Sequence, residues 1–390
     1  MDDKLSKSNQ IFYDNLRWLL CSDIRIKNGS DRGAVYGWKN LNPPVYPFIY
    51  NEITGYAITS FSWIYSEFSE PAALQAAKES SEWIIKNMQS YLLVAGRTKI
   101  DNFDEKGDLS NQIYAFDNGM IMIGLLNLYK ITTDPNLLMV AEHMAKVLIE
   151  RFFDGSKLTA LLDNSYKPII NNYSGRNYST KWSTLSGGYH CKLSLGLLEL
   201  SMLTNNRFYA EVSNSLCNFA KTLQKPDGRF TTNPDSEISY LHPHLYACEG
   251  LIYAGIKQSN EDYYTSGLKG IKWAMKQINS TTGGLPRDSA DKSVEQSDCI
   301  SQLLRLLILC RSRLSVKKSS SNYLVDALID RLHSRLLDFY IPVGQDKGGM
   351  RYQLALESAC SWCTMFSMQA LRLWSKRNDL EKVIWIDYYI

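Results

Sequence analysis

The stretch LLNLYKITTDPNLLMVAEHMAKVLIERF, residues 125–152, joins an apolar helix pattern to an amphipathic one through a short polar turn. The same unit recurs at residues 197–224 and 251–278, and the turns TTDPN, TNNRF and QSNED occupy equivalent places in the three copies. A related turn, EFSEPAAL, lies at residues 67–74. Each turn combines a turn former with Asp, Asn, Ser or Pro, residues that commonly begin helices. The repeat therefore predicts a series of helical hairpins.

Hydrophobic periodicity extends this unit along the chain and predicts an all-α protein with almost no alternating strand pattern. The predicted helices span residues 8–21, 51–67, 72–90, 115–131, 135–153, 188–204, 206–223, 242–257, 261–279, 295–312, 323–339 and 357–375. Those that begin near residues 51, 115, 188, 242, 295 and 357 are apolar nearly all round, whereas the others have a polar face. Six inner and six outer helices that close on themselves form an (α/α)6 toroid. No linker divides the chain, so we expect one domain over residues 1–390.

The connections between the predicted helices differ in length. Those from an inner helix to its outer partner have about three to five residues, whereas those from an outer helix to the next inner one have about fifteen to thirty. Every long loop therefore lies on the face that displays the amino ends of the inner helices. Long loops on a rigid scaffold commonly carry binding sites. We expect the functional site on this face.

Composition limits the kinds of partner. The 43 Lys and Arg residues nearly balance the 40 Asp and Glu residues, and the chain has no basic run of the kind that binds a phosphate backbone. Its most apolar run, MIMIGLLNLY, is shorter than the roughly 20 residues of a membrane span. The amino end lacks a signal-peptide pattern, and most of the eight cysteines lie in apolar helix patterns. We therefore expect a cytoplasmic protein that binds neither nucleic acid nor membrane.

Short motifs give no sign of a cofactor. The sequence contains no nucleotide-binding, metalloprotease or serine hydrolase motif. Cys360 and Cys363 are spaced as C-x-x-C, but no second pair stands at the spacing of a zinc site, and core packing explains them better. We expect neither a metal nor another cofactor.

Polar residues stand near the amino ends of the predicted inner helices. The set comprises Glu52, Asp117, His190, His242, His244, Asp298 and Glu357. Carboxylates at these ends also stabilise the helix macrodipole or serve as caps, so each of them has a structural interpretation. Capping does not explain why histidines stand at these helix ends when the whole chain has only five. The set is the candidate catalytic and binding group.

Aromatic residues crowd the same helix ends. The group comprises Tyr46, Tyr50, Tyr56, Phe116, Trp182, Tyr189, Tyr240, Tyr246 and Trp362. Aromatic faces stack on the CH groups of sugars, and carboxylates and imidazoles bond sugar hydroxyls, so the combination predicts a saccharide cleft. The alternative is that large rings simply fill the centre of the toroid.

A glycine turn precedes an arginine in three of the long loops. The motifs KPDGRF, STTGGLPRD and DKGGMRYQ contain Arg229, Arg287 and Arg351. Because a guanidinium forms a planar fork that suits a carboxylate, inward-facing arginines would select an acidic sugar such as a uronic acid. Arginines that face solvent are the alternative.

Several motifs together resemble a known group. YNEITGY (50–56), FDNGMIMIGLLNLY (116–129), GGYHCKLSLGLLEL (187–200), HPHLYACEGLIYAG (242–255) and ESACSWCTMFSMQAL (357–371) resemble, in that order, the VpsJ-like (α/α)6-toroid proteins of exopolysaccharide biosynthesis. More distantly, the chain is similar to the unsaturated glucuronyl and rhamnogalacturonyl hydrolases and the N-acylglucosamine 2-epimerases. The resemblance to the uronide hydrolases implies that Asp117 is the acid/base residue. The stretch Gln296-Ser297-Asp298-Cys299 departs from the Gly-Asn-Ala-Gln-like stretch of the VpsJ-like group.

Three functions fit these residues. In a glycoside hydrolase, Asp117 would donate a proton and Glu52 or Asp298 would activate water. In a sugar epimerase, His190 and His242 would remove and return a proton. In the third, the protein binds glycans without catalysis. We expect the hydrolase, acting on an acidic saccharide.

Overall fold

The computed structural model describes residues 2–88, 93–99, 112–169, 182–231, 236–314 and 321–378. The helices are α1 (Asp2–Cys21), α2 (Asn51–Phe68), α3 (Pro71–Lys86), α4 (Ala115–Thr132), α5 (Pro135–Phe152), α6 (Ser194–Thr204), α7 (Arg207–Thr222), α8 (Leu241–Lys257), α9 (Glu261–Met275), α10 (Ser297–Leu309), α11 (Arg311–Leu314), α12 (Ser321–Leu336) and α13 (Ser361–Lys376). A 3₁₀ turn, Gly188–Leu193, leads directly into α6.

Four of the hairpin turns share one backbone conformation. A left-handed residue, with φ between 52° and 55°, lies just beyond each of these inner helices, at Ser69, Thr133, Asn205 and Ser259. The next residue caps the outer helix, and its side chain accepts a backbone N–H two residues further on, at Glu70, Asp134, Asn206 and Asn260. These caps satisfy donors that a helix leaves unpaired at its amino end. The turn chemistry predicted from TTDPN and its relatives is confirmed.

The inner helices form a closed ring. Each of α2, α4, α6, α8, α10 and α13 packs on the next, and α13 returns to α2. The outer helices α3, α5, α7, α9 and α12 pack on the inner helix that precedes them. The sixth outer helix is α1, which packs on α13. The all-α (α/α)6 toroid is confirmed, and its sixth pair joins the two sequence-distant helices α1 and α13.

Burial separates the two layers as the sequence predicts. Every residue from Ala115 to Leu128 of the inner helix α4 is buried, whereas its outer partner α5 buries one face only. The inner helices α2 and α4 approach closely, because a Cβ atom on Gly124 would lie 2.6 Å from the carbonyl oxygen of Gly55. No helix of the described residues combines the length and the apolar character that crossing a bilayer requires.

Short strands lead into several inner helices, and the sequence did not predict them. They are β1 (Trp38–Leu41), β2 (Pro44–Val45), β3 (Phe48–Tyr50), β4 (Arg97–Lys99), β5 (Ile113–Tyr114), β6 (Leu161–Leu162) and β7 (Ser358–Cys360). β3 pairs with β4, β5 with β6, and β1 lies between β2 and β7, all antiparallel. Because β7 occupies 358–360, the last inner helix begins at Ser361 rather than at 357. The predicted placement of Glu357 in a first helical turn is therefore wrong.

Candidate active site

A cavity of about 310 Å³ opens at the amino ends of the inner helices. The helices contribute Glu52, Ile53, Tyr56, His242, Tyr246, Asp298 and Trp362 to its lining. The strand residues Trp38 and Tyr50 and the loop residues Trp182, Ser183 and Tyr352 complete the wall. The volume is in the range of small-molecule sites. The face predicted from loop length is therefore the face on which a pocket is found.

The cavity wall follows a simple rule of helical register. The second residues of four inner helices line the cavity: Glu52 in α2, His242 in α8, Asp298 in α10 and Trp362 in α13. The second residues of α4 and of the 3₁₀ turn before α6 are Phe116 and Tyr189, and both pack against the loop residue Trp182. Trp182 in turn lines the cavity. The wall of the pocket thus combines polar residues with aromatic rings.

The floor of the cavity is a pair of tyrosines. The hydroxyl oxygens of Tyr56 and Tyr246 are 2.6 Å apart, and both rings are buried. Tyr56 lies four residues after Glu52 and Tyr246 lies four residues after His242, so each tyrosine stands one helical turn below a polar residue of the wall. Because α2 and α8 occupy opposite positions in the ring, this hydrogen bond crosses the toroid axis.

Glu52 has the environment of a general acid. Its side chain is buried beside the hydroxyl groups of Tyr50 and Tyr56, with which it forms hydrogen bonds. Burial raises the pKa of its carboxyl group, although both hydrogen bonds and the charges of His242 and Lys192 oppose that rise. A carboxyl group with a raised pKa keeps a proton that it can give to a substrate oxygen.

His242 is oriented by α10. Its Nδ1 lies 2.7 Å from Gln302 Oε1 and 3.7 Å from Asp298 Oδ2. Since an amide oxygen only accepts, Nδ1 carries the hydrogen in this pair and Nε2 keeps its lone pair. The His242 imidazole is thereby set up as a base at Nε2. Gln302 was missed by the sequence analysis, although its position four residues after Asp298 puts both on one face of α10.

Asp298 is held by two donors. Its Oδ1 accepts the backbone N–H of Cys299 at 2.7 Å, and its Oδ2 accepts the indole N–H of Trp362 at 3.1 Å. The side chain is buried at the cavity wall. These bonds fix the carboxylate next to the imidazole of His242, so the two residues act as one unit.

Asp117, Tyr189 and His190 lie behind the wall rather than on it. Asp117 and His190 are third residues of their helical segments, and one further residue turns a side chain by about 100° around the helix. Asp117 is buried near Gly96, where an added Cβ would be 3.1 Å from its Oδ2. The hydroxyl of Tyr189 donates to the carbonyl oxygen of Leu185 at 2.8 Å. Burial lowers the pKa of His190 to about 3, so this histidine is uncharged.

His244 is a structural residue. Its Nδ1 accepts the backbone N–H of Phe230 at 3.1 Å, and its Nε2 donates to the carbonyl oxygen of Gly270 at 3.0 Å. Two residues along a helix rotate a side chain by about 200°, so His244 faces away from the pocket when His242 faces it. The prediction that His244 binds substrate is wrong, because both ring nitrogens are used within the protein.

The predicted arginines do not reach the cavity. Arg229 forms an ion pair with Glu237, and Arg287 forms one with Asp288 at 2.8 Å, with 41% of the Arg287 side chain exposed. Arg351 is absent from the lining, and Glu357 is exposed. The described lining contains no lysine or arginine but has two carboxylates. The predicted arginine cluster is therefore not found in the described lining of this cavity.

One group of side chains has the composition of a metal site. Ligand atoms of His242, Asp298 and Cys299 all lie within 4.8 Å of one another. The donors are already committed, since Nδ1 bonds Gln302 and the Cys299 thiol lies 3.7 Å from Gln296 Oε1. Burial also raises the pKa of that thiol, whereas zinc binds the thiolate. The positions of Asp298 and Gln302 around His242 suit hydrogen bonding to the imidazole better than they suit metal binding.

No protein-family model matches this sequence, and a search of curated proteins likewise finds no match. The fold, in contrast, is shared with solved structures. A sugar epimerase from a ruminal bacterium aligns with a TM-score of 0.74 and 13% identity over 97% of this chain and 99% of its own. Cellobiose 2-epimerase from Spirochaeta thermophila aligns with a TM-score of 0.75 and 12% identity over 96% of this chain and 98% of its own. Unsaturated glucuronyl hydrolase from Bacillus sp. GL1 aligns with a TM-score of 0.67 and 11% identity over 93% of this chain and 96% of its own.

These similarities establish the architecture. They confirm the (α/α)6 toroid and the structural similarity to epimerases and uronide hydrolases that the sequence predicts. At 10–13% identity the likeness carries the fold and not the reaction, because one fold hosts many activities. The narrower resemblance to VpsJ-like proteins stays a prediction.

Proposed function

We propose that the protein is a carbohydrate-active enzyme that isomerises or epimerises a small neutral reducing sugar by proton transfer. The observation that carries this proposal is the pairing of His242 and Glu52 on opposite inner helices, both on the wall of one cavity. His242 has its Nδ1 occupied by Gln302 and so acts at Nε2. Glu52 has a raised pKa and supplies a proton. This pairing replaces the predicted pair of His190 and His242.

The chemistry needs only these two groups. Nε2 of His242 takes the proton from C2 of the open-chain aldose, and the electron pair of the C–H bond forms the C1=C2 double bond. The carbonyl oxygen at C1 gains the proton of the Glu52 carboxyl group, which gives an enediol. Return of the proton to C1, with loss of the O2 proton to Glu52, gives the ketose. Rotation of the enediol about its C2–C3 bond presents the other face of C2 to His242, and return of the proton there, with loss of the O1 proton to Glu52, gives the epimer.

The composition of the wall favours a neutral sugar. The carboxylate of Asp298 would repel an anionic substrate at close range, and no cation stands among the described lining residues to offset it. Trp38, Trp182 and Trp362 offer flat apolar faces for the sugar ring. We therefore abandon the predicted acidic saccharide in favour of compounds such as mannose, glucose or cellobiose.

Deuterium exchange tests the proposal directly. The purified protein is incubated in D₂O with each reducing sugar, and we expect deuterium at C2, detected by NMR, together with the isomerised or epimerised product. His242→Asn should abolish the exchange. His143→Asn is the matched control, because His143 is exposed on the outer helix α5. Exchange that survives in His242→Asn at the wild-type rate would exclude His242 as the base.

Glycoside hydrolysis is the second candidate, because Glu52 and Asp298 line the same cavity. Glu52 would protonate the glycosidic oxygen in place of the predicted Asp117, and Asp298 would activate water. Hydrolysis would release reducing sugar from a disaccharide without deuterium at C2, and both Glu52→Gln and Asp298→Asn would stop it. Binding of sugars without exchange or hydrolysis would instead favour the glycan-binding alternative.

A further inference from the structure

A network of charged side chains is buried directly beneath the cavity floor. Lys192 Nζ lies 2.7 Å from Glu249 Oε2, and Glu249 Oε1 accepts a hydrogen bond from Arg305 at 2.9 Å. The side chains of all three residues are fully buried. Arg305 also donates to Gln369 Oε1 at 2.5 Å. The network thus connects the 3₁₀ turn before α6 with α8, α10 and α13.

Stability alone gives no reason to keep such a network. Removing charges from water is costly, and apolar replacements of buried ion pairs are often as stable as the originals or more stable. The positions also lie in inner helices that are otherwise apolar, as in CKLSLGLL and SQLLRLLIL. A role in the chemistry of the pocket is the alternative to a role in stability.

The network has more positive than negative charge. It contains two cations and one carboxylate, which leaves one positive charge in surplus when Lys192 is protonated. Burial lowers the pKa of Lys192 to about 8, and the neighbouring charge of Glu249 opposes that fall. Lys192 is therefore mostly protonated at pH 7.

The surplus charge faces the catalytic residues through one aromatic ring. Lys192 Nζ is 4.2 Å from the centroid of the Tyr246 ring, and the imidazole of His242 is 4.4 Å from the same centroid. The hydroxyl of Tyr246 meets that of Tyr56, which is a hydrogen-bond partner of Glu52. The Tyr246 ring therefore contacts both the Lys192 ammonium group and the His242 imidazole. The hydrogen-bonded pair of Tyr246 and Tyr56 connects Lys192 with Glu52.

We propose that the Lys192–Glu249–Arg305 network is an electrostatic device that supplies positive charge to a cavity whose own wall is acidic. Its charge stabilises the negative charge that develops on the sugar oxygen and on Glu52 as His242 removes a proton and Glu52 gives up its own. Lys192 is the positioning residue of the device, because it is the member in contact with the floor. This inference rests on the proposed function for its purpose, but the electrostatic coupling exists whatever the substrate.

Other titratable groups also face His242 and Glu52, and they limit how large the effect can be. These are Tyr50 from β3, Tyr56 from α2, Tyr246 from α8 and Asp298 from α10. Asp298 is the one ordinarily charged group among them, and it acts on His242 in the sense opposite to Lys192. A change of one unit charge in the network should therefore move the titration of His242 by a moderate amount, about 0.5 to 1 pH unit.

The coupling can be measured without any substrate. Five histidines are present, and burial lowers the pKa values of His190, His244 and His333 to about 3, 4 and 3. Above pH 5 the imidazole NMR signals of these three histidines should stay fixed, and His143→Gln distinguishes the signal of His143 from that of His242. We expect Lys192→Met to move the midpoint of His242 to higher pH and Glu249→Gln to move it to lower pH.

Two further variants complete the design. Lys272→Met removes an exposed lysine of α9 and should leave the His242 midpoint unchanged. Arg305→Met removes the second cation and should move the midpoint upward, as Lys192→Met does. A midpoint that stays fixed in folded Lys192→Met and Glu249→Gln, or that moves in the same direction in both, would overturn the proposal. Loss of the fold in both Lys192→Met and Arg305→Met would overturn it too, because the network would then be required for folding.

Activity provides a separate readout. With a sugar that exchanges, Lys192→Met should lower kcat by about 10- to 100-fold and change KM little, because the charge acts on the transition state. An unchanged kcat would overturn the catalytic purpose even if the NMR midpoints move. If no sugar exchanges, the proposed function fails, and the NMR midpoints still decide the electrostatic coupling by themselves.

Discussion

The hydroxyl groups of Tyr56 and Tyr246 meet at 2.6 Å across the axis of the toroid. The two residues belong to α2 and α8, which face each other in the ring of inner helices. Burial raises the pKa of both phenols well above 10, so both stay neutral and can share one hydrogen. This contact closes the central hole and sets the depth of the pocket beneath Glu52 and His242.

The tyrosine pair should contribute measurably to stability. We expect Tyr56→Phe and Tyr246→Phe each to lower the free energy of unfolding by about 1–2 kcal/mol, because each leaves a buried hydroxyl or ring edge without its partner. The double variant should lose less than the sum of the two, which urea denaturation would measure. Tyr13→Phe is the control, since Tyr13 is 52% exposed. Strictly additive losses would show that the two hydroxyls are energetically independent.

The two neighbouring histidines of α8 should respond differently to the same change. His244→Asn should destabilise the protein by about 2–3 kcal/mol, because the backbone groups of Phe230 and Gly270 lose their partner. His242→Asn should change the free energy of unfolding much less. Urea denaturation of both variants measures the difference. An equal loss in both would contradict the structural role assigned to His244.

Gln302 should matter for turnover rather than for sugar binding. Its Oε1 fixes the hydrogen of His242 on Nδ1, so Gln302→Leu should let the imidazole adopt the other tautomer. We expect kcat for sugar proton exchange to fall about 10- to 100-fold with a small change in KM. Gln277→Leu on the outer side of the toroid is the control. A large rise in KM with an unchanged kcat would argue against this role.

Acid should destabilise the protein through its buried histidines. His190, His244 and His333 have pKa values lowered by burial, whereas in the unfolded chain they titrate near 6.5. Their contribution to stability is therefore complete above pH 6.5 and is lost as the pH falls towards 4, since only the unfolded state takes up these protons. We expect a loss of about 1.5–2 kcal/mol per histidine between pH 6.5 and pH 5.

Urea denaturation at pH 7, 6 and 5 measures this dependence. His333→Gln removes one titrating group and should make the pH dependence shallower, whereas His143→Gln should not, because His143 is exposed. Equal free energies of unfolding at pH 7 and pH 5 in the wild-type protein would contradict the prediction.

The close approach of α2 and α4 should not tolerate an added methyl group. Gly124→Ala would place Cβ at 2.6 Å from the carbonyl oxygen of Gly55, so the helices must separate. We expect a loss of about 1–3 kcal/mol in the free energy of unfolding. Gly188→Ala is the matched control, because its nearest contact would be an ordinary 3.5 Å. Thermal denaturation of the two variants measures the difference in stability. A Gly124→Ala variant as stable as Gly188→Ala would contradict the tight packing.

The architecture was predictable because its signals are local. The hairpin turns depend on residues such as Asp134 and Asn260 next to a left-handed residue, and the inner helices depend on unbroken apolar runs. Glu52, His242 and Asp298 were found by their nearness to helix starts. The same nearness wrongly favoured Glu357, because a three-residue strand precedes the helix there and no alternating pattern that short can be recognised.

Which side chains face the cavity depends on where each inner helix begins, to within a single residue. Sequence patterns do not resolve helix starts that finely. Asp117 follows Phe116, and the second position of α4 belongs to the phenylalanine. The charged network under the floor was missed for a different reason. Lys192 and Glu249 are 57 residues apart in sequence, and Glu249 and Arg305 are 56 apart. Only their contact in the folded protein distinguishes these three residues from solvent-facing charges.

The packing of α1 on α13 has a consequence for how the protein is made. Residues 2–21 leave the ribosome before the helix on which they pack, residues 361–376, which is synthesised about 340 residues later. Until then the apolar face of α1 lacks its main partner, and the pocket lacks Trp362. Contacts so distant in sequence slow the last step of folding and leave apolar surface open to aggregation. The nascent chain should therefore be a better chaperone client than the finished toroid.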